Sequence, residues 1–325
     1  MKRTLFLLSL LSGLTICAFR SDKFPGTRIS NGIITANLYF PDTESGYYRA
    51  TRFDWSGVIP SLEYKNHTFL GQWFEKYSPD IHDAIMGPVE EFTAEGFDQV
   101  KPGEIFLKPG VGMLVKPDET QYSSFRLYAI KNPGEWKTIP KADQVEFIHV
   151  LKDASYAYEY KKTVRLEKGK PVLVLIHSFK NTGKNPIETN VYDHNFFMID
   201  KATTGPDLRV KFVFRADGKF QGPEGITVFG NNQLNFMREL VTGENIYCGG
   251  LSGVGNTPKD YDFRIENVKT GAGVHITGDQ PLSKLVLWAC PTTVCPEPYI
   301  HFRIDPGQEF NWKLTYEFYT FEKGK

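Results

Sequence analysis

Almost every periodic stretch of this chain alternates with a period of two, and that limits its fold more than any single motif does. Phe310, Trp312, Leu314, Tyr316 and Phe318 alternate with Asn311, Lys313, Thr315 and Glu317, and Tyr156, Tyr158 and Tyr160 alternate with smaller or charged neighbours. Successive strand residues point to opposite faces, so this pattern buries one face of an antiparallel sheet and wets the other. Continuous apolar runs at residues 172–176 and 285–289 suit strands covered on both faces. Gly and Pro punctuate the strands at short intervals, as at Asn132-Pro133-Gly134, Asp217-Gly218, Gly222-Pro223 and Asp305-Pro306-Gly307. No stretch of ordinary helix length carries a 3.6-residue apolar stripe; short turns are expected around Asp80 to Met86.

The 325 residues are 41% hydrophobic and show no composition break after the N-terminus. Residues 24–325 therefore read as one all-β domain, larger than an immunoglobulin-like sandwich of about 100 residues. No blade-length repeat argues for a propeller. The expected architecture is a large antiparallel β-sandwich.

Residues 1–23 read as an export signal. Met1-Lys2-Arg3 is a positive n-region, and the Leu-rich run after it is too short to span a bilayer. Leu14-Thr15-Ile16-Cys17 resembles a loose lipoprotein box that would lipidate Cys17, and cleavage after Ala18 competes with it. The chain is expected in the periplasm or anchored by lipid to a bacterial membrane. With 38 basic against 38 acidic residues and no basic block, nothing points to nucleic acid. Cys290 and Cys295 are spaced to close a short loop, and free buried thiols are the equal alternative. No CxxC pair or HExxH motif suggests a metal, and no cofactor motif is present: Gly249 to Gly255 is Gly-rich but lacks the Lys-Ser/Thr of a phosphate loop.

Two segments carry candidate chemistry. Glu297 lies between Pro296 and Pro298, whose rings restrict the backbone on both sides, and the missing N–H groups place it at a strand start, an edge or a bulge. Tyr192, His194 and Phe196 share one strand face, and Asp193, Asn195 and Phe197 share the other. An imidazole framed by aromatics suits the wall of a sugar cleft, although a half-buried structural His is the commoner case. His149 and His177 sit in strand patterns and read as structural, and His67 and His82 fall in loops. His301 alternates with Tyr299 close to Glu297 and is a further candidate for the same site. Of the adjacent Glu90 and Glu91 only one can face a cleft, and Glu90 is taken as that one. Arg49 and Arg52 lie in a dense aromatic and charged block, Tyr47 to Trp55, suited to binding hydroxyls or a carboxylate as well as to cation–π packing.

Phe179-Lys180-Asn181-Thr182-Gly183 followed by Asn190 to Phe197, and Cys295-Pro296-Glu297-Pro298 followed by Asp305-Pro306-Gly307-Gln308-Glu309, resemble segments of the galactose mutarotase-like (aldose 1-epimerase) family. The resemblance covers the C-terminal half well and the N-terminal half weakly. It implies a β-supersandwich and a cofactor-free reaction, with His194 as general acid and Glu297 as general base on opposite sides of a sugar ring. The family's His-Gly-Gly segment has no match; His82 stands near its position. Its Gly-Arg-x-x-Asn-Arg segment corresponds to Gly87-Pro88-Val89-Glu90-Glu91-Phe92, which turns a basic substrate contact acidic and speaks against galactose itself. Arg49 or Arg52 would compensate. The expected activity is mutarotation of a sugar or glycan end. A non-catalytic glycan-binding protein is the alternative, and a lyase or hydrolase on the same sandwich is the third reading.

Overall fold

A computed structural model describes residues 23–322, so the export segment and Cys17 lie outside the described residues. The alternating segments form antiparallel sheets. Among the described residues the only helical elements are three short 3₁₀ turns, Phe97–Gln99, Ile199–Lys201 and Pro258–Asp260. A ten-stranded sheet runs from the Thr227–Gly230 strand at one edge to the Glu135–Pro140 strand at the other. The Glu309–Thr320 strand lies inside it, paired to Ala272–Gly278 on one side and Val172–Asn181 on the other. Its Trp312, Leu314, Tyr316 and Phe318 are buried, as their alternation requires.

The second large sheet has five strands in the order Ile246–Cys248, Lys284–Cys290, Thr293–Ile304, Ile187–Asn195 and Pro88–Phe92. Two smaller sheets flank the pair: four strands between Gly26 and Thr68, and three between Ile105 and Asn132. The main apolar core lies between the large sheets and includes Phe147, Tyr160, Phe179, Val191, Phe197 and Tyr316. A second apolar cluster, with Phe53, Trp55, Val89, Phe106 and Phe196, supports the other face of the five-stranded sheet. That sheet is therefore covered on both faces, which is why Leu285, Val286 and Leu287 are all buried.

A charged cluster joins the two large sheets. Glu90, from the five-stranded sheet, accepts hydrogen bonds from Lys162 and His177 of the ten-stranded sheet, and all three are fully buried. Burial alone would raise the Glu90 carboxyl, but Lys162 and His177 outweigh it and lower it to about 2. Tyr160 and Ser56 donate to Asp54 beside this group. Burial raises Asp54 to about 7 and Asp193 well above the usual range, and the Glu90 charge adds to both shifts. Lys162 and His177 thus favour the ionised form of Glu90, while burial favours the protonated forms of Asp54 and Asp193.

Candidate functional site

The Thr293–Ile304 strand brings Glu297 to the middle of the five-stranded sheet, and its neighbour Ile187–Asn195 brings His194 beside it. The ladder between these strands runs from Ile187–Ile304 to Tyr192–Tyr299 and stops there. It resumes as a single bridge at Phe197–Val294. Pro296 and Pro298 account for the gap. Main-chain groups of a strand alternate sides, and the Pro296 carbonyl faces the His194 strand, where the Asn195 side-chain amide donates to it at 2.8 Å. By the same parity both prolines direct their missing N–H toward that strand, so neither can continue the ladder. The sequence expectation of a strand start, edge or bulge is corrected accordingly: Glu297 is mid-strand, at an internal split where only one of its two neighbours pairs.

Tyr192, His194 and Phe196 face outward from the split, and Asp193, Asn195 and Phe197 face the core, as the alternation predicted. A cavity of about 540 Å³ opens over the split, and both His194 and Glu297 line it. Their nearest atoms, His194 Nε2 and Glu297 Oε1, are 3.4 Å apart. The imidazole stacks in parallel on Phe196 at 3.9 Å and meets the edges of Phe53 and Trp288, each at 5.7 Å. Its Nδ1 is buried without a hydrogen-bond partner. Burial, with a smaller push from Arg52, lowers the His194 imidazole well below its ordinary range. Burial raises Glu297 to about 8, against an opposing pull from Arg52. Both shifts have one electrostatic outcome: near neutral pH the pair carries a single proton and no net charge.

Beside the pair stands an anchored polar wall. Arg52 donates through Nε to Glu91 Oε2 at 2.8 Å and through Nη2 to the Tyr192 hydroxyl at 3.1 Å, and it pairs with Asp83. The Tyr192 hydroxyl donates to Glu91 at 2.5 Å. Burial alone would raise Glu91; Lys108 and Arg52 overcome that and lower it. Trp73, Trp288 and Tyr299 supply aromatic surface around the same cavity.

The structure sorts the sequence candidates. His194, Glu297 and Arg52 share the cavity. Glu90 does not line it: cross-strand partners point to one face, and Glu91 pairs with outward-facing Tyr192 whereas Glu90 pairs with inward-facing Asp193. Of the two adjacent acids, Glu91 is therefore the one that lines the cavity. Arg49 does not line the cavity, and its guanidinium donates to the Glu44 carbonyl. His82 stands behind the wall, with Nδ1 at 2.9 Å from Asp83 Oδ2 and its ring edge-on to Phe125. His301 shares the strand face of Glu297 and Tyr299, but the strand has left the cavity by that point, and His301 pairs with Glu188 at 3.4 Å in solvent. Cys248, Cys290 and Cys295 are free thiols, so no disulfide tethers the turn before Glu297. Among the described residues no group of three or more His, Cys, Asp or Glu side chains is arranged to hold a metal ion. Trp73, Asp83, Glu91, Trp288 and Tyr299 were missed as site residues. Two of them carry a sequence signal: Glu91 is adjacent to the acidic candidate Glu90, and Tyr299 shares the strand face of Glu297 two residues on.

No family profile matches the sequence, and neither does any curated protein. Solved structures do. An aldose epimerase homologue from C. elegans superposes with a TM-score of 0.54 at 12% identity, over 92% of this chain and 100% of that one. A galactose mutarotase related enzyme from Lactobacillus acidophilus gives 0.53 at 12% identity, over 92% and 99%. A galactose mutarotase-like protein from Clostridium acetobutylicum gives 0.52 at 12% identity, over 91% and 95%. At that identity the likeness shows the fold alone: this chain is a large antiparallel β-sandwich of the same architecture as these proteins.

Proposed function

We propose that this chain is a mutarotase of the aldose 1-epimerase type, interconverting the anomers of a sugar by acid–base ring opening at His194 and Glu297. The observation that carries the reading is the 3.4 Å approach of an imidazole Nε2 to a carboxyl Oε1 in an aromatic-lined cavity. Neither side chain makes a hydrogen bond to any other side chain or to the main chain among the described residues. The two sugar oxygens that exchange protons, the anomeric hydroxyl and the ring oxygen, are bonded to the same carbon. An acid and a base standing side by side therefore suit them, and the expectation of groups on opposite sides of the ring gives way to adjacent groups on one floor.

In the forward step Glu297 takes the anomeric hydroxyl proton, C1=O forms as the bond from C1 to the ring oxygen breaks, and His194 protonates the departing ring oxygen. Rotation about C1–C2 and the reverse step deliver the other anomer. Burial favours that proton on Glu297, so it first crosses the 3.4 Å from Oε1 to His194 Nε2; the pair carries one proton before and after the step, and the same two groups serve both directions. Each typically contributes about 10²–10⁴-fold. Tyr192 and Arg52 hold Glu91 beside the pair as a fixed acceptor for sugar hydroxyls. The basic start and Leu-rich run of the N-terminus support a site of action outside the cytoplasm, in the periplasm or on a lipid anchor at Cys17.

The test is anomer exchange followed by NMR over a panel of aldoses and uronic acids. Wild type accelerates exchange of at least one sugar, and His194→Ala and Glu297→Gln each lose about 10²-fold or more while still binding it. Binding without acceleration for every sugar would replace the enzyme with a glycan-binding protein.

A further inference from the structure

The cavity is wider than its acid–base pair requires. Its lining reaches from Tyr247 on one edge strand of the five-stranded sheet to Glu91 on the other edge strand. That is four strand spacings, about 19 Å. Tyr247 stands two spacings, about 10 Å, from the Glu297 strand, beyond a single ring placed on the acid–base pair.

The side of the cavity toward Tyr247 is built as a shelf. Tyr247 and Trp288 are direct cross-strand partners, so their side chains leave the same face of the sheet from neighbouring positions. Trp288 in turn lies 5.7 Å from the His194 ring, which carries aromatic surface from the reacting centre toward Tyr247. Gln221 and Asn245 line the same end, and the Gln221 main chain is tied to that of Tyr247 by hydrogen bonds of 2.7 and 3.0 Å. Their side-chain amides are exposed and make no hydrogen bond within the protein among the described residues. Among the described residues just two aromatic side chains are exposed, Phe125 at 59% and Tyr247 at 38%, and both line this cavity. Phe125 is partly engaged, lying 4.6 Å from the Arg52 guanidinium. Tyr247 has an open face beside two unengaged planar amides, the combination that holds a saccharide by ring stacking and hydroxyl bonding.

We propose that the Trp288–Tyr247 shelf, with Gln221 and Asn245, is a second sugar subsite, and that the substrate is the reducing end of an oligosaccharide. The terminal unit sits on His194 and Glu297, and the next unit stacks on the shelf. The subsite rests on the mutarotase reading for its register but not for its existence. Arg52 is already paired with Asp83 and Glu91, so the units it takes are neutral.

The experiment compares kcat/KM for anomer exchange of glucose and galactose with that of maltose, cellobiose and lactose, in wild type, Tyr247→Phe and Tyr247→Ala. Wild type favours at least one disaccharide over its monosaccharide. Tyr247→Ala lowers that preference by roughly tenfold, the worth of one aromatic contact, and Tyr247→Phe keeps it. Equal kcat/KM for both sugar sizes, or a preference untouched by Tyr247→Ala, overturns the subsite and leaves the mutarotase intact. If no sugar is exchanged, the catalytic reading falls, and tryptophan fluorescence titration with the same sugars decides the subsite alone. Tighter disaccharide binding that is lost in Tyr247→Ala supports it; equal binding, or none, overturns it.

Discussion

At the scale of single residues, His194 and Glu297 act as one titrating unit. Burial raises the carboxyl to about 8 and lowers the imidazole, so the pair holds its proton through neutral pH and releases it near pH 8. Ring opening needs a donor and an acceptor together, and the pair without its proton has no donor. The kcat/KM for anomer exchange is therefore expected to be level from about pH 6 to 7.5 and to fall toward tenfold per unit above about pH 8. A rate that rises through pH 8 would show Glu297 working only as a bare carboxylate, with the donor elsewhere. Both residues were legible in the sequence because their neighbours mark them: aromatics at alternate positions around His194, and prolines on both sides of Glu297. Glu91 was not, because parity along the chain says that adjacent acids diverge without saying which one faces out.

At the scale of elements, the site is a split between two strands. Pro296 and Pro298 end the ladder at Tyr192–Tyr299, and Asn195 bridges the gap, donating to the Pro296 carbonyl and accepting from the Tyr316 hydroxyl. Asn195 is fully buried, so Asn195→Leu would leave a carbonyl and a hydroxyl without partners, at a cost of about 2–4 kcal/mol of stability. The same change frees one strand against the other. It is expected to lower kcat about tenfold or more with little change in KM, since misplacement of about 1 Å can cost that much. Denaturant unfolding and steady-state exchange kinetics check both. Unchanged kcat in a folded Asn195→Leu variant would show that the split holds its width without the bridge. The prolines announced a break in pairing, but pattern alone could not distinguish an outer edge from a split inside a sheet.

At the scale of the whole molecule, buried ionisable groups set how stability depends on pH. Asp54, Asp193 and Glu297 hold their protons above the usual carboxyl range, and His149, His177 and His194 are lowered by burial. Between about pH 4.5 and 6.5 the unfolded chain releases protons from the three acids and takes them up on the three imidazoles, so stability changes little. Above about pH 6.5 the acid contribution stands alone: the folded state binds more protons than the unfolded state, and stability falls as pH rises through about 8. Below about pH 4.5 the unfolded chain binds more, and stability falls again. Thermal unfolding is expected to give a higher Tm at pH 5.5 than at pH 8.5, by several degrees. The reverse order would mean that water or relaxation solvates these groups in the folded state.

The sequence by itself determined the class of fold, because period-two alternation is a local property that any strand must satisfy wherever it pairs. It determined for the same reason which residues near His194 face one way, and it marked Glu297 by the prolines that hold it. Only the tertiary structure decided which strands are neighbours. That choice put Glu91 rather than Glu90 in the cavity, sent Glu90 to Lys162 and His177 between the sheets, left Arg49 and His301 outside, and set Trp288 beside Tyr247. Strand pairing is a long-range contact settled by the packing of two whole sheets, and no local pattern encodes it.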